Sequence, residues 1–301
     1  MEQMKHDLDM AVLLTVVDEG GFSAAARAIG QTHSAISKRI RYLEDRLGVQ
    51  LLVRTTRRMR LTEAGERYVI EAREILARIA ALESEISDRS GRLRGRIRLT
   101  ASNAFGQKHI VPAVVDFMKQ NPEVEIDLTL SDAVVDLVRD GFDMAVRSAV
   151  LPDSSLVANK LMTNRRVVCA APDYLARMGT PEAPDDLARH ACLRLSLSSA
   201  FNEWGLCGRA EQRFRLGKGM SCNSLEAIHS ACLSGLGIAW LPMFLVGPDL
   251  EAGRLTPLLD AYRDPASDSA VSIVRPASEI VSARIRALTD FFVERFRNAV
   301  L

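Results

Sequence analysis

No apolar run in this chain is long enough to cross a bilayer. The longest, Ile238 to Val246, is broken by Pro242, whereas a spanning helix needs about 20 apolar residues. The opening Met1-Glu2-Gln3-Met4-Lys5-His6-Asp7 is polar and charged, so no secretory leader is expected and the cytoplasm is the expected compartment. The five cysteines, Cys169, Cys192, Cys207, Cys222 and Cys232, form no CxxC pair and no cluster with histidine at metal-ligand spacing. Buried free thiols are expected, with no metal and no other cofactor. Catalytic signatures are missing too: there is no GxSxG, HExxH, P-loop or full GxGxxG, and the five histidines, His6, His33, His109, His190 and His229, stand far apart. An enzyme is therefore the weaker reading, although distant residues can converge on folding.

Nor is there a large excess of one charge. The formal net charge is +1, yet the average hides an asymmetry. Between Arg27 and Arg60 the bases are Arg27, Lys38, Arg39, Arg41, Arg46, Arg54, Arg57, Arg58 and Arg60, opposed only by Glu44 and Asp45. Such a stretch is a candidate phosphate-facing surface. The hydrophobic fraction of 48% and charged fraction of 26% over 301 residues predict a globular chain of two or three domains.

Leu8, Val12, Leu13, Val16 and Val17 recur at helical spacing and stop at Asp18-Glu19-Gly20-Gly21. Ser23 reads as the N-cap of a short helix through the small residues Ala24 to Ala28, closed by Gly30. Thr32 reads as the cap of the next helix. There Ala35, Ile36, Ile40, Leu43 and Leu47 face inward, Ser34, Ser37, Lys38 and Arg41 face out, and Gly48 is the stop. Two short helices around a tight turn, the second with a polar and basic outer face, predict a helix-turn-helix. Leu51 to Arg54 and Met59 to Thr62 predict two short strands, a wing with Thr55-Thr56-Arg57-Arg58 at its tip. A generic helical bundle with a solvated basic face is the competing reading.

The ordered set Phe22-Ser-Ala-Ala-Ala-Arg-Ala-Ile, Ser34-Ala-Ile-Ser-Lys-Arg-Ile, Leu43-Glu44, Leu47-Gly48, Arg54 and Leu61-Thr62-Glu-Ala-Gly65 resembles the LysR-type transcriptional regulators. The resemblance implies that the helix from Thr32 enters the major groove of double-stranded promoter DNA. Thr32, His33, Ser34, Ser37 and Lys38 would reach base edges, while Arg54, Arg57, Arg58 and Arg60 of the wing would hold phosphates or the minor groove. His33 departs from the glutamine frequent in the family, which alters base preference there because histidine lacks the bidentate geometry that reads adenine.

From Thr62, with Glu63 and Glu66 in the first turn, one long helix is expected up to Ser90-Gly91. Tyr68, Ala72, Ile75, Ile79, Leu82 and Ile86 alternate in steps of four and three, a seam that suits self-association. Packing on the chain's own domain is the alternative. The glycines of Ser90-Gly91-Arg92-Leu93-Arg94-Gly95 mark a hinge. Beyond it, candidate strands alternate with helices: Glu125 to Leu130, Val134 to Arg139, Met144 to Arg147, Val167 to Ala171 and Ile238 to Leu241. That is an α/β pattern. The expected division is a winged helix-turn-helix over 1–62, a linker helix over 63–90, a hinge over 91–95 and an effector domain over 96–301.

Ser102-Asn103, Ser131-Asp132 and Asn223-Ser224 each stand where a strand gives way to a helix, the place where open α/β sheets bind ligands. Simple N-capping is the other reading of all three. The resemblance continues through Val134-Val-Asp-Leu-Val, Gly141-Phe-Asp-Met-Ala-Val-Arg147, Ala171-Pro-Asp-Tyr-Leu175, Asp186-Leu187 with His190 and Cys192-Leu193, and Gly235-Leu-Gly-Ile-Ala with Leu241-Pro242. It implies a two-lobed effector domain similar to periplasmic binding proteins, lobe I over 96–162 and 269–301 and lobe II over 163–268. It also implies dimers or tetramers that contact RNA polymerase, and no membrane partner. The pocket positions it carries over are Ser102, Asn103, Ser131, Arg147, Phe201, Asn202, Asn223 and Ser224. Arg147 suits either an effector carboxylate, which hints at a small organic acid, or a protein acid such as Asp143. Trp204 and Trp240 read as packing residues. A thiol switch between Cys222 and Cys232, the cysteines closest in sequence, is a further alternative with no flanking base to support it.

Overall fold

The computed structural model describes residues 2–54, 59–87, 92–133, 135–148, 156–196, 202–207, 215–277 and 281–297, without the side chains of 2–7, 54, 80–81 and 83–87. Arg57, Arg58 and Phe201 therefore lie outside the described residues, as do Val134, the side chains of Arg54 and Ile86, and Ser90-Gly91.

Helices α1 (Glu2–Asp18), α2 (Phe22–Ala28) and α3 (His33–Leu47) lead into an antiparallel ribbon, β1 (Leu52–Arg54) with β2 (Met59–Leu61), and then into the 25-residue α4 (Glu63–Ser87). Thr32 caps α3 as expected, its Oγ1 accepting from Ala35 N at 3.2 Å, and Gly48 ends it at φ 68°. Ser23 is not a cap. The helix α2 starts two residues earlier, after Gly21 and without a side-chain cap, because the Phe22 ring packs on the N-terminal core and draws the chain into helix there. On α3 the inward residues are Ile36, Ile40 and Leu43, each fully buried. Ala35, one position off that stripe, is exposed, and Leu47 is 38% exposed in the last turn, where the chain runs out to Val49 and Gln50.

Thr62 Oγ1 accepts from Gly65 N at 2.9 Å and donates to Gln50 O at 2.7 Å, so it both caps α4 and ties it to the wing. A Cβ on Gly65 would collide with the Leu51 carbonyl. The first turns of α4 sit that close because Val69 and Ala72, 1% and 2% exposed, belong to the same core as Leu13, Ile36 and Ile40. The expected self-association stripe is thereby divided. Tyr68 and Ala72 pack on the chain's own domain, Ile79 is half-buried, and Ile75 and Leu82 stand 42% and 50% exposed.

The remainder forms two lobes. Lobe I contains β3 (Gly95–Ala101), α5 (Asn103–Phe105), a π-helical turn (Gly106–Ile110), α6 (Val111–Gln120), β4 (Val124–Leu130), α7 (Leu137–Asp140), β5 (Met144–Ser148) and β6 (Leu156–Asn164). The chain crosses at Arg165 into lobe II: β7 (Arg166–Ala170), α8 (Pro172–Met178), β8 (Cys192–Leu195), β9 (Ser221–Cys222), α9 (Leu225–Leu233), β10 (Ile238–Pro242), α10 (Met243–Glu251) and β11 (Thr256–Leu258). It returns through β12 (Ser269–Pro276) and α11 (Ala283–Arg297). The sheet orders are β4-β3-β5-β12-β6 and β11-β7-β10-β8-β9. In lobe I, β3 runs parallel to β4 and β5, and β12 antiparallel to β5 and β6. Parallel strands buried on both faces need apolar runs, which Ile97, Leu99, Met144 and Val146 supply, each fully buried. The segment from Val134 resolves into the single helical turn α7, capped by Asp136, whose Oδ1 accepts from Val138 N and Arg139 N at 3.1 and 3.0 Å.

The N-terminal module docks on lobe I through charge. Asp18, at the end of α1, pairs with Arg73 of α4 and with Arg98 of β3, the latter at 3.1 Å. Gly141, at φ 71°, lies under both guanidinium groups, and a Cβ there would strike each of them.

Substituting Gly65→Ala should cost on the order of 3 kcal/mol, because the Leu51 backbone has no flexible atom to move aside. A fall in the midpoint of chemical unfolding, followed on the full chain, is the expected result.

Candidate nucleic-acid interface and ligand cleft

The outer face of α3 carries His33, Ser34 and Lys38, all exposed, with Ser37 half-buried beside them. Thr32 is exposed as well, though its hydroxyl oxygen is engaged in the cap. The His33 ring stands 5.8 Å from that of Phe22, so α2 steadies the start of α3. Helical spacing from Ser34 and Lys38 extends the same face to Arg41 and to Tyr42, which is 54% exposed. Tyr42, four residues after Lys38, was not among the expected DNA-facing residues.

This helix is rigidly mounted. Arg39 pairs with the buried Asp9 of α1 at 3.3 Å. Glu44 Oε1 accepts from Leu51 N and Leu52 N at 2.8 and 3.0 Å, so one carboxylate on α3 sets the start of the wing. Arg60 is exposed on β2, opposite Val53, and Arg54 is the β1 partner of Met59.

In lobe I, four of the residues expected to line a pocket gather at the carboxyl ends of β3, β4 and β5. Asp132 is the centre of this group, accepting from Asn103 N at 3.0 Å and from Asn103 Nδ2 at 2.8 Å. Ser102 precedes α5 without making a side-chain cap, and Ser131 Oγ accepts from Ala133 N at 3.2 Å. Arg147 donates through Nη2 to Thr100 Oγ1 at 2.9 Å, while its buried Nη1 has no hydrogen-bond partner among the described residues. Burial lowers the Arg147 pKa and the charge of Asp132 works against that shift. Asp143 is not its partner: the Asp143 carboxylate accepts from Arg98 N at 2.8 Å, at the opposite end of the β3–β5 pairing. Sequence reasoning named Asp132 beside Ser131 at this junction but left it out of the pocket positions, and it passed over Thr100.

In lobe II, Ser224 caps α9, accepting from Ala227 N at 3.2 Å and donating to Glu226 Oε2 at 2.9 Å. Asn202 Nδ2 donates to Leu195 O at 2.9 Å, and its Oδ1 is buried with no partner among the described residues. Asn223 is exposed. No hydrogen bond among the described residues joins these three to the Asp132 group. Of the tryptophans, Trp204 is buried and Trp240 lies under the Arg166 guanidinium at 4.7 Å.

The lobes touch at an aromatic cluster. His109, in the π-helical turn, stacks 4.9 Å from Phe105 and 5.7 Å from Phe244 of α10, and Lys108 Nζ donates to Leu245 O at 3.4 Å. The cysteine pairing expected as an alternative does not form. Cys232 is buried with its Sγ on the carbonyls of Cys169 and Gly237, while Cys222 lies beside Asn223. A hydrogen bond from Cys232 and burial together push the Cys169 thiol well above its ordinary range, which makes an inert pair.

Residues 8–66 match the family model described as bacterial regulatory helix-turn-helix protein, lysR family, and residues 90–297 match that of the LysR substrate binding domain. The chain belongs to the LysR family of transcriptional regulators. Among its relatives, CrgA from Neisseria meningitidis serogroup C is 34% identical over 290 residues, which is 96% of this chain and 97% of CrgA. The solved structure of CrgA from Neisseria meningitidis superposes with a TM-score of 0.65 at 33% identity, covering 96% of this chain and 98% of that one. The full-length structure of LysG from Corynebacterium glutamicum, with its effector Arg bound, gives a TM-score of 0.64 at 27% identity over 96% of each chain. The chain is thus a DNA-binding transcriptional regulator with an effector-binding domain, in a family of regulators rather than enzymes. Among the described residues no helix is long and apolar enough to cross a membrane.

Burial, aided by the charge of Lys108, lowers the His109 pKa below 6.5 against an opposing hydrogen bond to the Phe244 backbone. The neutral ring is the form the fold accepts, so its contribution is complete above pH 6.5 and is lost as pH falls from there through the folded-state value. The melting temperature should decline between pH 7 and pH 5. His109→Phe, which keeps the ring without the proton site, should show a shallower decline, with His190, also lowered by burial, supplying part of what remains.

Proposed function

We propose that this LysR-family regulator acts in the cytoplasm as a dimer, or a pair of dimers, on double-stranded promoter DNA, and that a small organic acid held between its lobes controls it. The observation that carries the DNA reading is the exposed face of α3, mounted by Thr32, Arg39 and Glu44 on a fixed core. Thr32, His33, Ser34, Ser37 and Lys38 read base edges, and Arg54, Arg57, Arg58 and Arg60 hold backbone phosphates. Among the described side chains of the α4 seam, Ile75 and Leu82 are exposed and open to a second copy. A dimer reads two half-sites, which a single helix-turn-helix cannot do. The division into a DNA-binding module over 1–62, linker over 63–90, hinge over 91–95 and effector domain over 96–301 accords with this reading.

The effector residues in this reading are Ser102, Asn103, Ser131 and Arg147 of lobe I together with Phe201, Asn202, Asn223 and Ser224. The buried Nη1 of Arg147, without a partner among the described residues, favours a carboxylate. The arginine held by LysG supports an effector of this size class. Effector binding regulates only by favouring one arrangement of lobes or subunits over another, and that arrangement alters the contact with RNA polymerase.

Fluorescence anisotropy on the DNA upstream of the protein's own gene, run as a salt series, tests the DNA reading. The parent should bind this DNA more tightly than scrambled sequence. Lys38→Ala with Arg60→Ala should weaken binding and reduce the salt slope by about 1 for each phosphate that is no longer neutralised. Equal binding of scrambled DNA, or an unchanged double variant, overturns the assignment of α3 and the wing.

A further inference from the structure

A cavity of about 320 Å³ opens where three parts of the chain meet: α1 and α4 on one side, and lobe I with the start of α11 on the other. It is large enough for a small organic molecule, at the lower end of the roughly 300–1,000 Å³ typical of ligand pockets. None of the cleft residues named above lines it. Its charge is uneven, for Arg73, Arg78, Arg98, Arg275 and Arg284 line it against Asp18, Glu74 and Asp143. Arg73 and Arg98 already share Asp18, Asp143 accepts from the Arg98 backbone and Arg284 Nε donates to Arg96 O at 3.1 Å. Arg275 and the remaining N–H groups of Arg284 therefore bring positive charge to the α11 end.

That end is built for an anion. Ser282 lines the cavity, immediately precedes α11 and is only 4% exposed, yet its Oγ has no hydrogen-bond partner among the described residues. A serine before a helix ordinarily turns its hydroxyl oxygen onto a first-turn N–H, and this one does not. The backbone carbonyl of Ser282 takes Ile285 N and Arg286 N at 3.1 Å each. The positive end of a 15-residue helix therefore meets the cavity beside an unengaged hydroxyl and Arg284. The opposite wall is apolar, with Leu14, Leu137, Val138 and Phe142.

We propose that this cavity is a second small-ligand site, separate from the cleft between the lobes, and that it takes a monocarboxylate with a compact apolar body. The carboxylate sits at Ser282 Oγ, the start of α11 and Arg284, and the body lies against Phe142 and Leu137. Because α1 and α4 form one wall and lobe I the other, an occupant there bridges the DNA-binding module to the sensor. Inorganic phosphate offers the same charge without the apolar body and is the natural control.

Fluorine NMR of 4-fluorobenzoate, titrated with the full chain, tests the proposal. The parent should bind saturably, 4-fluorobenzamide should bind weakly, and inorganic phosphate at equal concentration should not displace the acid. Ser282→Ala and Arg284→Gln, each checked for an unchanged melting profile, should lower affinity about tenfold, whereas Asn103→Ala in the cleft between the lobes should leave it unchanged. Absence of saturable binding, equal binding of the amide, or displacement by phosphate overturns the proposal. Weaker binding with Asn103→Ala but with neither Ser282→Ala nor Arg284→Gln also overturns it, and would move the probe to the other site without touching the DNA reading.

Discussion

The approach of α4 to the Leu51 carbonyl, permitted only because residue 65 is glycine, governs how the two ends of this chain act on each other. With that approach made, Val69 and Ala72 enter the core of the N-terminal module, so the linker helix moves with the DNA-binding helices rather than on a flexible tether. Glu44 then holds the wing to α3 from the other side. The recognition face, the wing and the first turns of the linker are thus one body. Any rearrangement of the effector domain has to act on that body as a whole.

Where groups are buried, they hold the scaffold: Asp9 on Arg39, Asp249 on His229 and Arg254, and Asp143 on a backbone N–H. Asp249 is kept below the usual carboxylate range by those two partners, which outweigh the cost of burying it. Pairing is incomplete among the described residues at Asp9 Oδ2 and Arg39 Nη1 in the scaffold as well as at Arg147 Nη1 and Ser282 Oγ. Buried polar atoms without partners are costly, and a carboxylate at either proposed site would offset that cost locally.

Local features were legible in the sequence because local physics makes them. The cap at Thr32, the stop at Gly48 and the inward Ile36, Ile40 and Leu43 follow from spacing and residue type. Of the strands in the lobes, β4, β5, β7 and β10 were announced by apolar segments such as Val167 to Ala171, whereas β6, β8, β9, β11 and β12 were not. Ser23 was misjudged because tertiary packing of Phe22 overrode a capping preference. The seam along α4 was half misjudged because a heptad pattern cannot say whether its partner is another copy or the chain's own core. The site pairings were illegible for a different reason. Asn103 and Asp132 are 29 residues apart, Arg147 and Thr100 are 47 apart, and Asp18 and Arg98 are 80 apart. Such pairs are created by the order of strands in a sheet, and no periodicity announces them.

Asp18 shared between Arg73 and Arg98 carries a consequence for any titration of this protein with salt. The three side chains are partly open to solvent, so ions screen their attraction as they screen phosphate pairing. Raising ionic strength therefore acts on two equilibria together, one between protein and DNA and one between the two halves of the protein. The apparent number of ions exchanged on DNA binding then includes a share that never belonged to the DNA, and Asp18→Asn separates the two.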